Sequence, residues 1–250
     1  MRFFFAGIFI FLCSFSGLSQ DAASFIKEGE RLEAVPNEKG AFEKFKLALV
    51  HDPGNVYVLT KCSELCSRIG NRETNPDNRD AYYAAALSYS KKALALAPQN
   101  DEANVSMAIA LGRIALLKAG KEKITAVKDI KHYADFAIKY NRQNFKAWHI
   151  LGKWNYEVSN LNTIERAATK VFYGGLPNSS FKKAIEAYEM AKKLKPDFIL
   201  NYLELAKAYQ KNNQKNVAIA QLKTLLLLPN KTEDDPRIKT EARSLLAKWD

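Results

Sequence analysis

Two segments of the chain carry the same order of small, aromatic and polar positions and end in the same way. In AIEAYEMAKKLKP, Ala184, Tyr188 and Ala191 recur at helical spacing and Pro196 follows; in ALSYSKKALALAP, Ala86, Tyr89 and Ala93 do the same before Pro98. Small and aromatic residues one or two turns apart make one apolar face of an α-helix, and proline cannot continue the helix. Such a helix needs a neighbour to cover that face. A recurring pattern therefore predicts a stack of helix pairs, whose surface is suited to binding rather than to catalysis.

The pattern resembles the second half of a tetratricopeptide (TPR) repeat. With the proline near the end of a repeat of about 34 residues, the TPR consensus expects aromatic and small residues at fixed earlier positions. Pro53 closes a first unit (22–53) with Phe25, Gly29, Ala41 and Phe45 in register. Leu59, Cys62, Ser63 and Cys66 open a second (56–98). This unit is longer than the repeat, and the surplus is assigned to GNRETNPDNRD, expected as a long hairpin loop before Ala81. A third unit (101–142) puts Met107, Ala108, Leu111, Tyr133 and Ala137 on the core. Arg142 replaces its proline, and both its helices are expected to be longer than usual. The fourth (145–196) opens with Trp148, Leu151 and Gly152 in register and is interrupted by an insertion, 160–180. There Ile164 to Phe172 is expected to form an extra helix, with Ser179 or Ser180 capping the next. A compact fifth unit (199–230) turns at Asn212–Asn213. A cap helix (233–249) is expected to bury Ile238, Ala242, Leu245 and Trp249, with Thr232 and Asp235 as a capping box. The predicted fold is all-α: a TPR-like right-handed α–α superhelix of about five helix pairs plus a C-terminal capping helix, one domain over residues 20–250.

The N-terminal residues break this pattern. Met1–Arg2 precedes an apolar run from Phe3 to Leu12, and Gly17-Leu18-Ser19 offers small residues where a signal peptidase reads. Residues 1–19 are expected to be a signal peptide cleaved between Ser19 and Gln20, which exports the chain to the periplasm or beyond. The run is short against the roughly 20 residues of a membrane span. The alternative is an anchor retained over residues 3–18. Phe11 and Leu12 are too bulky for lipid attachment at Cys13.

Cys62 and Cys66 share one face of a helix. The other ligands of a metal site are missing, and a disulfide across one turn ties nothing together. The repeat register places both in the core.

From Phe145 onward the chain resembles the regulator of microtubule dynamics family. The resemblance rests on AWHILGKWNYEV, on KVFYGG with PNSS, on AIEAYEMAKKLKPDF and on the tail LPNKTEDDPRIKTEARSLL, and it extends over roughly residues 85–250. It implies a TPR-like fold that acts by binding, in association with microtubules or membranes. A secretory signal peptide departs from that setting and implies a different partner.

Composition adds a charge and no chemistry. Thirty-eight Lys and Arg against 27 Asp and Glu give +11. This suits an acidic partner, but no nucleic-acid motif accompanies it and nucleic acid is not expected. His51, His132 and His149 lie in no zinc spacing, and there is no phosphate loop or nucleophile elbow, so no metal, cofactor or enzymatic activity is expected. In TPR stacks the first helix of each pair lines a concave groove. The candidate partner-binding residues are Arg113, Lys146, His149, Lys153, Tyr156, Lys207, Gln210 and Lys211, with Glu30, Glu33 and Glu64 at the other end. An acidic peptide or C-terminal carboxylate is expected to dock at the basic end. Trp148 is expected in the core, and Trp154 and Tyr156 against Phe172 and Leu176. The reading is an exported, non-catalytic scaffold for a protein or peptide partner. The alternatives are a membrane- or cytoskeleton-associated adaptor resembling the regulator of microtubule dynamics family, or a binder of anionic surfaces or nucleic acid through its basic face.

Overall fold

The joints between helix pairs are built alike. At Asp52, Ala97, Asn141 and Lys195 the backbone leaves the helical conformation, and the N–H of each still donates to a buried alanine four residues back: Ala48, Ala93, Ala137 and Ala191. Three residues on, the N–H of Asn55, Asn100, Asn144 and Phe198 donates back to those same end residues at 3.0–3.2 Å, closing a tight turn. In the first three joints the asparagine then caps the next helix through its side chain, accepting from Val58, Ala103 and Ala147. Arg142 in place of proline leaves the joint unchanged.

The computed structural model describes residues 16–249, with side chains from Asp21 onward, Tyr173 excepted. The expected signal peptide therefore lies outside the described residues but for the backbone of 16–19. The described residues form helices and no strands. The pairs are α1 (Ser16–Ala34) with α2 (Glu38–His51), α3 (Val56–Arg72) with α4 (Pro76–Leu96), and α5 (Asp101–Ala115) with α6 (Gly120–Tyr140). They continue with α7 (Phe145–Ser159), α8 (Thr163–Tyr173) and α9 (Phe181–Leu194), then α10 (Ile199–Lys211) with α11 (Lys215–Leu227), and end in α12 (Asp235–Trp249). Helix α8 is the expected insertion helix, and Ser180 caps α9 by accepting from Lys183 N–H.

The second and third units differ from expectation. GNRETNPDNRD is helical except at 73–75: the Asn75 side chain accepts from the N–H of Asp77 and Asn78, and Pro76 sits at the first helical position. The surplus of the second unit thus lengthens α3 and α4. In the third unit the extra length falls on one helix, α6 at 21 residues, while α5 keeps 15.

Alanines at the helix crossings let aromatic rings fill the space between pairs. Cys62 and Cys66 are fully buried thiols beside Phe45 and Ile69. Tyr188 is fully buried on α9, and Gly152 of α7 admits its ring: a Cβ there would lie 2.6 Å from it. At the C-terminal end Ile238, Ala242 and Trp249 close the last core, with Leu245 packed against it. The Thr232–Asp235 cap is half formed: the Asp235 carboxylate accepts from the N–H of Lys231 and Thr232.

Candidate interaction surface

First helices pack on first helices: α3 on α5, α5 on α7, α7 on α10 and α10 on α12, with the second helices outside them. The inner wall is consequently made by residues at matched positions of successive first helices. It carries a ladder of ion pairs between helices. Lys61 reaches Glu33 of α1 at 2.7 Å. Lys146 of α7 bridges Glu64 of α3 at 2.8 Å and Glu102 of α5 at 3.1 Å. Lys153 joins Glu157 and Glu204, each at 2.8 Å, and Lys207 joins Glu204 at 3.2 Å and Glu241 of α12 at 2.8 Å.

These pairs set the charge states. Burial works to raise the Glu64 carboxyl, but Lys146, Arg68 and Lys61 outweigh it and hold it at about 2. Glu204 is lowered against its burial by Lys153 and Lys207. Lys146 and Lys153 are raised, their carboxylates overcoming desolvation. Glu64, Glu204, Lys146 and Lys153 are thus held in their charged forms and locally neutralised by one another. The expected gradient, acidic at one end and basic at the other, is replaced by cations and anions interleaved along the groove.

The candidate residues fall into three groups. Lys146, Lys153 and Lys207 stand on the ladder. Tyr156 is half-buried, with Phe181 5.7 Å away between ring centroids and the Lys153 ammonium over its ring. His149 belongs to the packing: its Nδ1 lies 3.0 Å from Asn201 Oδ1, its ring contacts Tyr188 and Phe198, and burial lowers its imidazole. Arg113 donates to Asn71 Oδ1 at 3.0 Å, its Nε has no partner among the described residues, and burial lowers its guanidinium. Gln210 Oε1 is buried and likewise unpartnered among the described residues, and Lys211 is exposed at the end of α10.

At the end of α3 the stack also holds a segment of the chain itself. Arg72, at the end of α3, pairs with Glu38 at 2.6 Å, Glu233 at 3.1 Å and Asp234 at 3.1 Å. Glu233 in turn accepts from the backbone N–H of Glu38 at 2.7 Å. The acidic turn before α12 thereby straps the last unit to the first two. Sequence reading missed this strap, as it missed Glu102, Asn201 and Glu204. The local signal was there: Asn201 and Glu204 lie one turn apart on a helix whose other faces are apolar.

The aromatic cluster differs from expectation. Trp154 faces α6, where its indole N–H donates to Val127 O at 2.7 Å and Lys131 covers its ring. Tyr156 turns to Phe181, while Phe172 is largely exposed. Trp148 is half-buried and donates to Arg142 O. It borders a depression of about 280 Å³ between α6, α7 and α9, with Lys131, Asn155 and Glu186 at its walls. Beside α8 the polar groups serve the fold: Ser159 bonds Ser179, and Arg166 bonds the carbonyls of Val158 and Ser159. Among the described residues no group of His, Cys, Asp and Glu is placed to hold a metal ion.

Helix pairs with first helices inside, repeated joints and a capping helix define a right-handed TPR-like superhelix, a class of protein-interaction scaffold. Solved structures agree on the fold. TTC0263, a thermophilic TPR protein of Thermus thermophilus, matches with a TM-score of 0.67 at 15% identity, over 90% of this chain and 99% of that one. Yeast Tom70 matches with a TM-score of 0.50 at 16% identity, over 92% of this chain and 41% of that one. The sequence profile of regulator of microtubule dynamics protein 1-3 matches residues 25–250, and the chain belongs to that family. Regulator of microtubule dynamics protein 1 of mouse is 29% identical over 175 residues, 70% of this chain and 57% of the mouse protein. Human regulator of microtubule dynamics protein 2 is 24% identical over 214 residues, 84% of this chain and 52% of the human protein. The chain spans little more than half the length of these relatives.

Proposed function

We propose that this chain is an exported, non-catalytic scaffold that binds an extended acidic segment of a partner protein along its inner wall. The observation that carries the reading is the strap. The chain's own Glu233 and Asp234 dock at the end of α3, held by the Arg72 guanidinium and the Glu38 backbone N–H as an acidic peptide would be. Arg113, buried with one hydrogen bond and an unpartnered Nε, offers a further donor beside that turn. Lys153, Tyr156, Lys207 and Lys211 extend the surface toward α10. Export is supported by the composition of residues 1–19.

A fluorescent peptide copying residues 230–237 is the probe. The intramolecular strap competes at an effective concentration in the mM range. Glu233→Ala with Asp234→Ala should therefore bind the peptide about tenfold more tightly than the native chain. Adding Lys153→Gln and Lys207→Gln should weaken it severalfold if the α7–α10 end takes part. No binding to any variant at low salt refutes the acidic-segment reading.

The family match favours a second reading, an adaptor attached to a membrane or the cytoskeleton, since the relatives are named as regulators of microtubule dynamics. The mass of the protein from its native host separates the two. A chain beginning at Gln20 supports export; one retaining residues 1–19 supports the adaptor.

A further inference from the structure

Helix α8 is amphipathic and is seated through Thr169, with Glu165, Arg166 and Lys170 exposed as well as its apolar side. Thr169 is buried, and Arg166 reaches back to the end of α7. The apolar side, Ile164, Val171 and Phe172, points outward at 81, 75 and 73% exposure. The helix is held in this pose by fixed ends. Asn162 and Glu165 form a full capping box, and Gly174 closes the last turn at φ 71°. Helix α8 leaves the stack at the edge where first helices turn into second helices, and it packs on α6. At the same edge the turn from α5 to α6 exposes Leu116 at 67%. Single exposed apolar residues are ordinary, but a group on one edge marks a contact surface.

Charge selects what covers it. Lys121, Lys123, Lys170 and Lys182, on α6, α8 and α9, are exposed and stand in no ion pair among the described residues. An apolar helix face among unpaired lysines suits a surface that is anionic outside and apolar beneath, the headgroup layer of a bilayer. A second copy would bring the same positive charge against it.

We propose that α8, with the Leu116 turn, is a docking face for an anionic lipid bilayer, on which the helix lies flat. No described helix is long and apolar enough to cross a membrane. The proposal stands apart from peptide binding in the groove.

The test uses the full chain with a polarity-sensitive dye on Val171→Cys, in a Cys13→Ser background; Cys62 and Cys66 are buried and do not compete for the dye. Vesicles of phosphatidylcholine are compared with vesicles containing about a third phosphatidylglycerol. The expected result is a blue shift with affinity about tenfold higher on the anionic vesicles, weakening as salt rises. Ile164→Glu with Leu116→Glu should lower that affinity about tenfold and leave the thermal melt unchanged, both side chains being exposed. Because the dye sits on α8, insertion of the apolar run at Phe3–Leu12 alone leaves it unshifted. No shift at low salt overturns the proposal, and so does an affinity for the anionic vesicles that Ile164→Glu with Leu116→Glu leaves unchanged. Self-association that Ile164→Glu abolishes, without vesicle binding, would give the face to a second copy instead.

Discussion

Arg72 and Asp234 lie 162 positions apart in the chain and meet in an ion pair of 3.1 Å. In an open solenoid each unit touches only its neighbours. This pair therefore records a superhelix curved far enough for its last turn to reach its first two units. The same arginine holds Glu38, which is only 2% exposed, so one guanidinium both neutralises a buried carboxylate and fastens the strap. Closure and local stability are coupled at a single side chain, and the two can be separated by substitution.

Arg72→Ala leaves Glu38 with Arg68 at 3.4 Å as its remaining partner. Removing one partner of a buried pair costs about 3 kcal/mol, and the surviving arginine should keep the loss at or below that figure in urea unfolding. Asp234→Ala leaves Arg72 paired with Glu38 and Glu233 and should cost less than Arg72→Ala. Both variants should expand the molecule in small-angle X-ray scattering. An unchanged scattering profile in both would show that the strap is held by other contacts.

Acid should unfold the chain in two stages. Burial lowers the His149 imidazole below its ordinary 6.5. As pH falls through 6.5 the unfolded chain takes up a proton that the folded chain refuses, so stability declines. Glu64 titrates from 4.5 when unfolded to about 2 when folded. Its contribution is whole above pH 4.5 and is lost between there and about 2, with Glu204 acting in the same direction. Urea midpoints measured across this range should show both declines. His149→Gln should flatten the first and Glu64→Gln the second. A first decline that persists in His149→Gln would place its origin elsewhere.

Gly152 and Gly112 give opposite expectations for the same substitution. Gly152→Ala puts a methyl 2.6 Å from the buried Tyr188 ring, which cannot retreat. Overpacking of this kind costs about 1–3 kcal/mol and should lower the melting temperature by several degrees. Gly112→Ala meets only Ile130 Cδ1 at 4.0 Å, within a helix that prefers alanine. It should be neutral or stabilise by up to about 1 kcal/mol. Equal melting temperatures for the two variants would contradict this packing of α7 on α9.

The repeat was legible because its signal is local. Ala184, Tyr188, Ala191 and Pro196 lie within one helix and its exit, and that spacing alone fixes which face is buried. The surplus of the second unit was misread because GNRETNPDNRD is polar throughout; Asn75 and Pro76 are a helix start that composition hides among other loop-like residues. The ladder was half legible. The lysines of α7 and α10 could be assigned to the inner wall from their register, but their partners Glu64, Glu102 and Glu241 come from other helices. A charge count along one helix reads such a wall as basic. The strap was beyond sequence reading, since the curvature that brings Asp234 to Arg72 is the sum of small rotations at every joint.

Cys62 and Cys66 test the buried register of α3. Both are fully buried among Phe45, Leu65 and Ile69, and burial pushes the thiols up, Cys66 to about 12 and Cys62 further. The thiolate is the reactive form, so both should resist reagent and oxidant while the chain is folded. In a Cys13→Ser chain, an aromatic disulfide reagent should titrate no thiol in native buffer and both in denaturant. The same Cys13→Ser chain kept folded under air should show the mass of two free thiols. Rapid labelling of either cysteine without denaturant, or a mass lower by two hydrogens, would mean that α3 opens on the timescale of the reaction and that its inner face is not the closed core described.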